Sequence, residues 1–152
     1  MASHCQDCTA CCTVFEIKPL DKPFGEACKH LGKTLFGVGC TIYHDRPQPC
    51  QNYVCLWLDS QRRPGQEMPE NLRPDVVKVV MGWPWGEDRD TLFVYPLPGH
   101  DNAWRQSPLR EHLQMIVARG GKLVIVTGKT RMAIKGDMAV VGTEDEFADI
   151  LS

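Results

Sequence analysis

The chain has 152 residues, a length that suits one domain of ordinary size. Hydrophobic residues make up 43% of it and charged residues 24%, as in a soluble globular protein. The formal net charge is -2, and neither half has the basic excess of a nucleic-acid binder, so no nucleic-acid partner is expected. No apolar run reaches the ~18 residues of a membrane helix, so no membrane association is expected either.

The N-terminus reads Met-Ala-Ser-His-Cys-Gln-Asp-Cys and lacks the basic and apolar parts of a secretory signal. This predicts a cytoplasmic protein, in which thiols are kept reduced. Cysteines in that setting bind metals or carry out redox chemistry more often than they form disulfides.

Cysteines dominate the first part of the chain. All eight fall within the first fifty-five residues, as Cys5, Cys8, Cys11, Cys12, Cys28, Cys40, Cys50 and Cys55. The opening Cys-x2-Cys places two thiolates on one tight turn, a spacing shared by zinc knuckles and iron–sulfur proteins. The pattern predicts that all eight are metal ligands that converge in space. The cofactor is Zn2+ or an iron–sulfur cluster, and the spacing does not choose between them.

The distribution of the ligands follows in part from their spacing. Cys5, Cys8 and Cys11 are expected to share one site because they repeat every three residues. Cys12 adjoins Cys11 and should point elsewhere, toward a second ion or as a free thiol. A single cubane would need one more ligand, for which Cys50 or Cys55 is the best candidate. Two full sites would use all eight cysteines, and both arrangements stay open.

Thiolate ligands leave a net negative charge on a bound metal, which NH groups or basic residues must offset. The nearby candidates are Lys18, Lys29, Lys33 and Arg46. For the three lysines, ordinary solvated surface is the favoured interpretation. Three histidines also lie beside cysteines, and a surface or hydrogen-bonding role is favoured over metal ligation for each: His4, His30 and His44.

The eight cysteines, together with Tyr43, Arg46 and Pro47, resemble the CxxCxxCC cysteine-cluster family. That family is described as a zinc- or iron-chelating domain and is often labelled iron–sulfur oxidoreductase. The resemblance covers residues 5–55 and implies a metal-binding role, although Gln51 stands where a basic residue is common. The same motif occurs in flagellin lysine methylases, but this chain has no Gly-rich loop for a methyl donor.

Beyond the cysteines the pattern changes from loops and short helices to strands and one helix. Residues 60–74 are polar and turn-rich and predict a connector. The predicted strands that follow are Asp75–Met81, Thr91–Leu97, Lys122–Thr127, Arg131–Lys135 and Met138–Val141. Trp83 and Trp85 flank Pro84 between the first two strands and are expected to cap the sheet.

A helix is predicted at about Pro108–Arg119, with Ser107 as its N-cap and Gly120-Gly121 at its end. Its apolar face consists of Leu109, Leu113, Ile116 and Val117. A short terminal helix should begin at Thr143. The fold class is therefore α+β: a loop-rich, metal-stapled cysteine module joined to a small antiparallel or mixed sheet with one packed helix. Residues 1–60 form the cysteine-cluster region and residues 61–152 the α+β support region, within one compact unit.

Three functions are compatible with the sequence. The favoured one is a metal-binding protein in which the metal is largely structural. The alternatives are an iron–sulfur or thiol oxidoreductase and a zinc-finger-like protein-interaction adaptor. No flavin, nicotinamide or radical-donor motif accompanies the cysteines, and the sequence identifies neither a catalytic residue nor a protein partner.

Overall fold

The computed structural model describes residues 8–35, 37–83, 90–128 and 130–143. Its helices are α1 (Ala10–Val14), α2 (Gln48–Asn52), α3 (Leu56–Gln61), α4 (Pro74–Val77) and α5 (Leu109–Ala118). Its strands are β1 (Leu31–Thr34), β2 (Gly37–Cys40), β3 (Val79–Gly82), β4 (Thr91–Pro96), β5 (Lys122–Thr127), β6 (Thr130–Lys135) and β7 (Met138–Thr143). The predicted α+β class is confirmed. Four of the sequence predictions lie outside the described residues: those for Cys5, His4, Trp85 and the terminal helix after Thr143.

The larger sheet has five strands in the order β3-β4-β5-β6-β7. Strands β4 and β5 run parallel, with Thr91 opposite Lys122, and the other neighbours are antiparallel. A parallel pair needs a crossover connection, which here contains α5. The sheet is therefore mixed, and strands β5, β6 and β7 lie close to their predicted positions.

Helix α5 covers the sheet with the face that the sequence predicts. Leu109 and Leu113, one turn apart, are 1% and 3% exposed. They belong to one hydrophobic core with residues of β3, β4 and β5, and with Trp57 and Leu58 of α3. The helix ends at Ala118, and Gly120 follows with a φ of 89°, a conformation that favours glycine.

The start of α5 differs from the prediction. The Ser107 hydroxyl donates a hydrogen bond to the Glu111 carboxylate, and Pro108 occupies the N-cap position without a side-chain cap. Because Ser107 lies one residue too early, its oxygen bonds to a side chain of the first turn instead of a backbone N–H.

The predicted strand over Asp75–Met81 is wrong in its first half. Residues Pro74–Val77 form α4, and the strand begins only at Val79. Pro74 stands at the first helical position, where its fixed φ is suitable, and Arg73 pairs with the Asp75 carboxylate at 2.6 Å. Lys78 then takes a left-handed conformation with a φ of 62°, which separates the helix from the strand.

The cysteine-rich part of the chain has little apolar core. Among described residues 8–55, the buried hydrophobic residues are Ala10 and Val14. Strands β1 and β2 form an isolated hairpin there, with Leu31 opposite Cys40. The sequence did not predict this hairpin because its glycines hide any alternating apolar pattern.

Helix α3 spans the predicted boundary at residue 60 and packs against β3, so it connects the cysteine-rich part to the sheet.

In the described part of the chain, no helix is long and apolar enough to cross a bilayer.

Candidate metal centre

Helix α1 carries Cys11 and Cys12 side by side. Successive residues of an α-helix project about 100° apart, so these two thiols leave the helix in different directions. Cys12 ends a short hydrogen-bonded turn, because its N–H donates to the Thr9 carbonyl at 3.0 Å. The expectation that Cys12 points away from Cys11 agrees with this helical geometry.

Three of the described cysteines pack on one small apolar cluster beside the sheet. Cys8, Cys11 and Cys55 are partly buried and contact the cluster that Ala10, Val14 and Val80 form. Aromatic rings close this cluster, since the Phe15 ring lies 4.6 Å from that of Tyr53 and 4.8 Å from that of Tyr95. We call Cys8, Cys11 and Cys55 the apolar thiol cluster.

Cys55 also has a structural role of its own. It is the N-cap of α3, and its Sγ accepts a hydrogen bond from the Leu58 N–H at 3.4 Å. A cap of this kind satisfies a backbone donor at the start of the helix, so the position of Cys55 is fixed by α3.

The four remaining described cysteines lie on four separate segments, and backbone pairing links three of these segments. The Cys28 N–H donates to the Cys12 carbonyl at 3.0 Å, which joins the loop before β1 to α1. The Leu31 N–H donates to the Cys28 carbonyl at 3.1 Å, and Leu31 pairs with Cys40 across the β1–β2 hairpin. Cys50 lies on α2, and we call Cys12, Cys28, Cys40 and Cys50 the four-thiol cluster.

Charges within the four-thiol cluster interact. Burial raises the pKa of the Cys50 thiol, and negative charge on Cys12, Cys28 and Cys40 raises it further. Burial also raises the pKa of the Cys40 thiol; a hydrogen bond with the backbone of Ile42 opposes this rise, whereas charge on Cys12 and Cys28 adds to it. Negative charge on other members of the cluster therefore opposes the ionisation of Cys40 and Cys50.

Two basic side chains adjoin this cluster. Arg46 is the candidate that the sequence favours, and its positive charge lowers the pKa of both Cys40 and Cys50, against the raising effect of burial. Its guanidinium is held in place by the Tyr43 ring, whose centroid lies 3.8 Å away, and by an Nε–H bond of 2.7 Å to the Tyr43 carbonyl. Arg46 therefore fits the charge-compensating role expected of it.

Lys22 is the second basic residue, and sequence reasoning missed it. It is 5% exposed, and its Nζ donates hydrogen bonds to the carbonyl oxygens of Phe15 and Pro23. Burial lowers the pKa of Lys22, while thiolate charge on Cys28, Cys12, Cys11 and Cys50 acts in the opposite direction. Lys22-Pro23 reads as a turn signal in the sequence, and no pattern there marks the lysine as buried.

The other side chains considered for the site lie further out. Lys18, Lys29 and Lys33 are exposed, as the surface interpretation predicts. His44 is exposed beside the Tyr43 ring, and His30 is partly buried and accepts the Thr41 N–H through its backbone carbonyl at 2.9 Å.

Among the described residues, no three His, Cys, Asp or Glu side chains stand where they could together hold a metal ion. Two thiolates affect each other's pKa over distances much longer than a zinc–sulfur bond, which is about 2.3 Å. A charge interaction between these thiols is therefore a different observation from a shared metal site. The predicted ligands fall into two groups. One group interacts through thiolate charge and the other packs on the same apolar cluster: Cys12, Cys28, Cys40 and Cys50 in the first, and Cys8, Cys11 and Cys55 in the second.

Comparisons with protein-family models, curated proteins and solved structures each found no match. The resemblance to the CxxCxxCC cysteine-cluster family thus stays a prediction from the sequence.

Proposed function

We propose that this protein binds zinc or an iron–sulfur cluster through its cysteines and that the metal is largely structural. The observation that carries the proposal is that the backbone links cysteines from separate segments. The Cys28 N–H donates to the Cys12 carbonyl at 3.0 Å, and Cys40 pairs with Leu31, whose N–H donates to the Cys28 carbonyl at 3.1 Å. In this proposal the four-thiol cluster is the principal site. Cys5, Cys8, Cys11 and Cys55 supply a second set of four ligands.

The chemistry of the four-thiol cluster suits either cofactor. Its cysteines are partly buried, which protects a metal–thiolate bond without closing the path to solvent. Four thiolates are the ligand set of structural zinc sites and of cubane clusters.

Charge also supports the proposal. Four thiolates on a doubly positive zinc ion or cluster leave two net negative charges. Lys22 and Arg46, which adjoin the four-thiol cluster, contribute two positive charges. Such neutralisation reduces the cost of keeping a charged site partly buried.

The structural role follows from the shortage of core. Described residues 8–55 bury two hydrophobic side chains, whereas most of the core comes from Trp57 onward. The free energy gained from so little apolar burial does not offset the conformational entropy that the segment loses on folding. The segment therefore needs an additional stabilising element, such as a bound metal. A reducing compartment, which we propose is the cytoplasm, would keep the thiols available for it.

Anaerobic purification followed by metal analysis and an absorption spectrum tests this function. We expect stoichiometric zinc in a colourless protein, or iron and sulfide in a brown protein with a band near roughly 400 nm. Protein that holds no metal as purified, and takes up none on addition of zinc or on cluster reconstitution, would overturn the proposal.

A further inference from the structure

The loop that contains Cys28 runs beside helix α1 and is fixed to it at two points. The Gly25 N–H donates to the Val14 carbonyl at 2.8 Å, and the Cys28 N–H donates to the Cys12 carbonyl at 3.0 Å. These two hydrogen bonds set the direction of the loop relative to the helix. The backbone therefore keeps Cys28 next to Cys12, although the two residues are far apart in the sequence.

The hydrogen bond between Cys28 and Cys12 also limits the distance between their Cα atoms. With ordinary bond lengths and angles, a backbone nitrogen lies about 1.5 Å from its own Cα, and a carbonyl oxygen about 2.4 Å from its own. Together with the 3.0 Å hydrogen bond, these lengths allow the two Cα atoms to be at most about 7 Å apart. A disulfide usually joins cysteines with Cα atoms about 4.4–6.8 Å apart, and beyond about 7 Å it requires backbone movement. Cys12 and Cys28 therefore satisfy the distance limit for a disulfide.

Both thiols are accessible to small molecules. Cys12 and Cys28 are partly buried, so neither is enclosed in the core. Successive residues of a helix project about 100° apart, which separates the Cys12 thiol from that of Cys11 in the apolar thiol cluster. A disulfide needs two thiols instead of the four ligands of a structural zinc site. The described residues contain no group of three metal-binding side chains, yet their backbone holds this pair side by side.

We propose that Cys12 and Cys28 form a reversible disulfide in the metal-free chain, with glutathione disulfide as the oxidant. The sulfur of one cysteine attacks glutathione disulfide, so that a mixed disulfide forms and one glutathione leaves as its thiolate. The sulfur of the other cysteine then attacks the cysteine sulfur of the mixed disulfide and releases the second glutathione. The two cysteines lose two electrons, which reduce one glutathione disulfide to two glutathiones, and the two thiol protons pass to the released thiolates.

The bond would constrain a stretch of chain that has almost no core of its own. Among residues 12–28, the buried hydrophobic residue is Val14. Closing a loop of this size removes conformations from the unfolded chain and so favours the folded state. The inference concerns the chain without metal and does not depend on the proposed function, which metal analysis tests separately.

Mass spectrometry of the full chain tests the bond. The protein is reduced, freed of metal with a chelator and incubated with glutathione disulfide, and the remaining thiols are then alkylated. Cleavage after Glu16 and Glu26 separates the peptide that contains Cys12 from the one that contains Cys28. We expect these two peptides to be joined in the wild type and to separate after treatment with dithiothreitol. Fragmentation of the joined peptides identifies the bonded cysteines directly, without any substitution.

Substitutions test whether the bond is specific. Cys12→Ser and Cys28→Ser should each abolish the link between the peptides, whereas Cys11→Ser should retain it. Cys11 is the matched control because it adjoins Cys12 but packs in the apolar thiol cluster. In concentrated urea the wild type should lose its preference for this pair, because the hydrogen bonds that hold Cys28 beside Cys12 are broken.

Four results would overturn the inference. The first is a wild-type protein that keeps its thiols or accumulates only mixed disulfides with glutathione. The second is fragmentation that places the bond between other cysteines. The third is a link that persists in Cys12→Ser or Cys28→Ser, or that is lost in Cys11→Ser. The fourth is the same pattern of links in urea as in the folded protein.

Discussion

Tyr53 lies so close to Gly82 that no β-carbon fits between them. A Cβ built on Gly82 would stand 2.7 Å from the Tyr53 hydroxyl oxygen and 3.4 Å from two of its ring carbons. Tyr53 lies between α2 and α3, and Gly82 ends β3, so this contact joins the cysteine-rich part of the chain to the sheet. The same tyrosine ring packs against Phe15, beside the apolar thiol cluster.

Gly82→Ala should therefore destabilise the protein. Crowding in a packed region costs about 1–3 kcal/mol, which chemical denaturation can measure. Tyr53→Phe removes the oxygen that makes the closest contact, so the double variant should recover most of the loss. If Gly82→Ala destabilises the wild-type protein and the Tyr53→Phe variant equally, the two residues do not clash.

The division of the cysteines into two clusters predicts how substitution of two adjacent residues affects the metal content. Cys11→Ser and Cys12→Ser alter adjacent residues, yet they should remove metal from different sites because the thiols belong to different clusters. Each variant should lose about half of the wild-type metal, and the double variant nearly all of it. Cys40→Ser should behave as Cys12→Ser does, and adding Cys40→Ser to Cys12→Ser should cause no further loss.

Metal-to-protein ratios of the purified variants provide the measurement. If Cys11→Ser and Cys12→Ser each abolish all metal binding, the cysteines form one shared site. If Cys8→Ser and Cys11→Ser both retain the full wild-type content, their assignment as ligands is wrong.

The elements predicted well from the sequence are those whose pattern is local and repeated. Leu109 and Leu113 mark one face of α5 by their spacing alone. The run over Lys122–Thr127 is short, rich in β-branched residues and flanked by glycines, which is typical of a buried strand. Helix α4 is not evident from the sequence because its valines resemble a strand, and the proline and the left-handed Lys78 decide otherwise.

The sequence predicts which residues form the candidate site but not how they are arranged. Eight cysteines in a short stretch indicate metal chemistry, whereas their grouping depends on the β1–β2 hairpin and on backbone bonds such as that from Cys28 to Cys12. Lys22 could not be found from the sequence, because its burial results from contacts between loops that carry no periodic signal.

Helix α5 should contribute strongly to the stability of the sheet. Leu109 is 1% exposed, and Leu109→Ala should lower the free energy of unfolding by about 2–5 kcal/mol. Met115 is 40% exposed on the same helix, and Met115→Ala should change it by less than about 0.5 kcal/mol. Similar losses for both variants in urea unfolding would contradict the packing described for this helix.

Acid should lower the free energy of unfolding through His112, which lies on the same helix. Burial lowers the pKa of His112 below its ordinary value near 6.5, so the unfolded chain takes up a proton before the folded chain does. Stability should be constant above that ordinary value and fall as the pH drops from it toward the lowered pKa. His112→Gln should flatten this part of the pH profile, and a wild-type profile unchanged by the substitution would count against the burial effect.

The most direct test of a structural metal is hydrogen exchange on the full chain, before and after removal of the metal by a chelator. Residues 8–55 bury little apolar surface, so their backbone amides should lose most of their protection when the metal leaves. The amides of β3, β4 and β5, which belong to the main core, should keep theirs. Protection that falls equally in both parts, or that does not change in residues 8–55, would contradict the account.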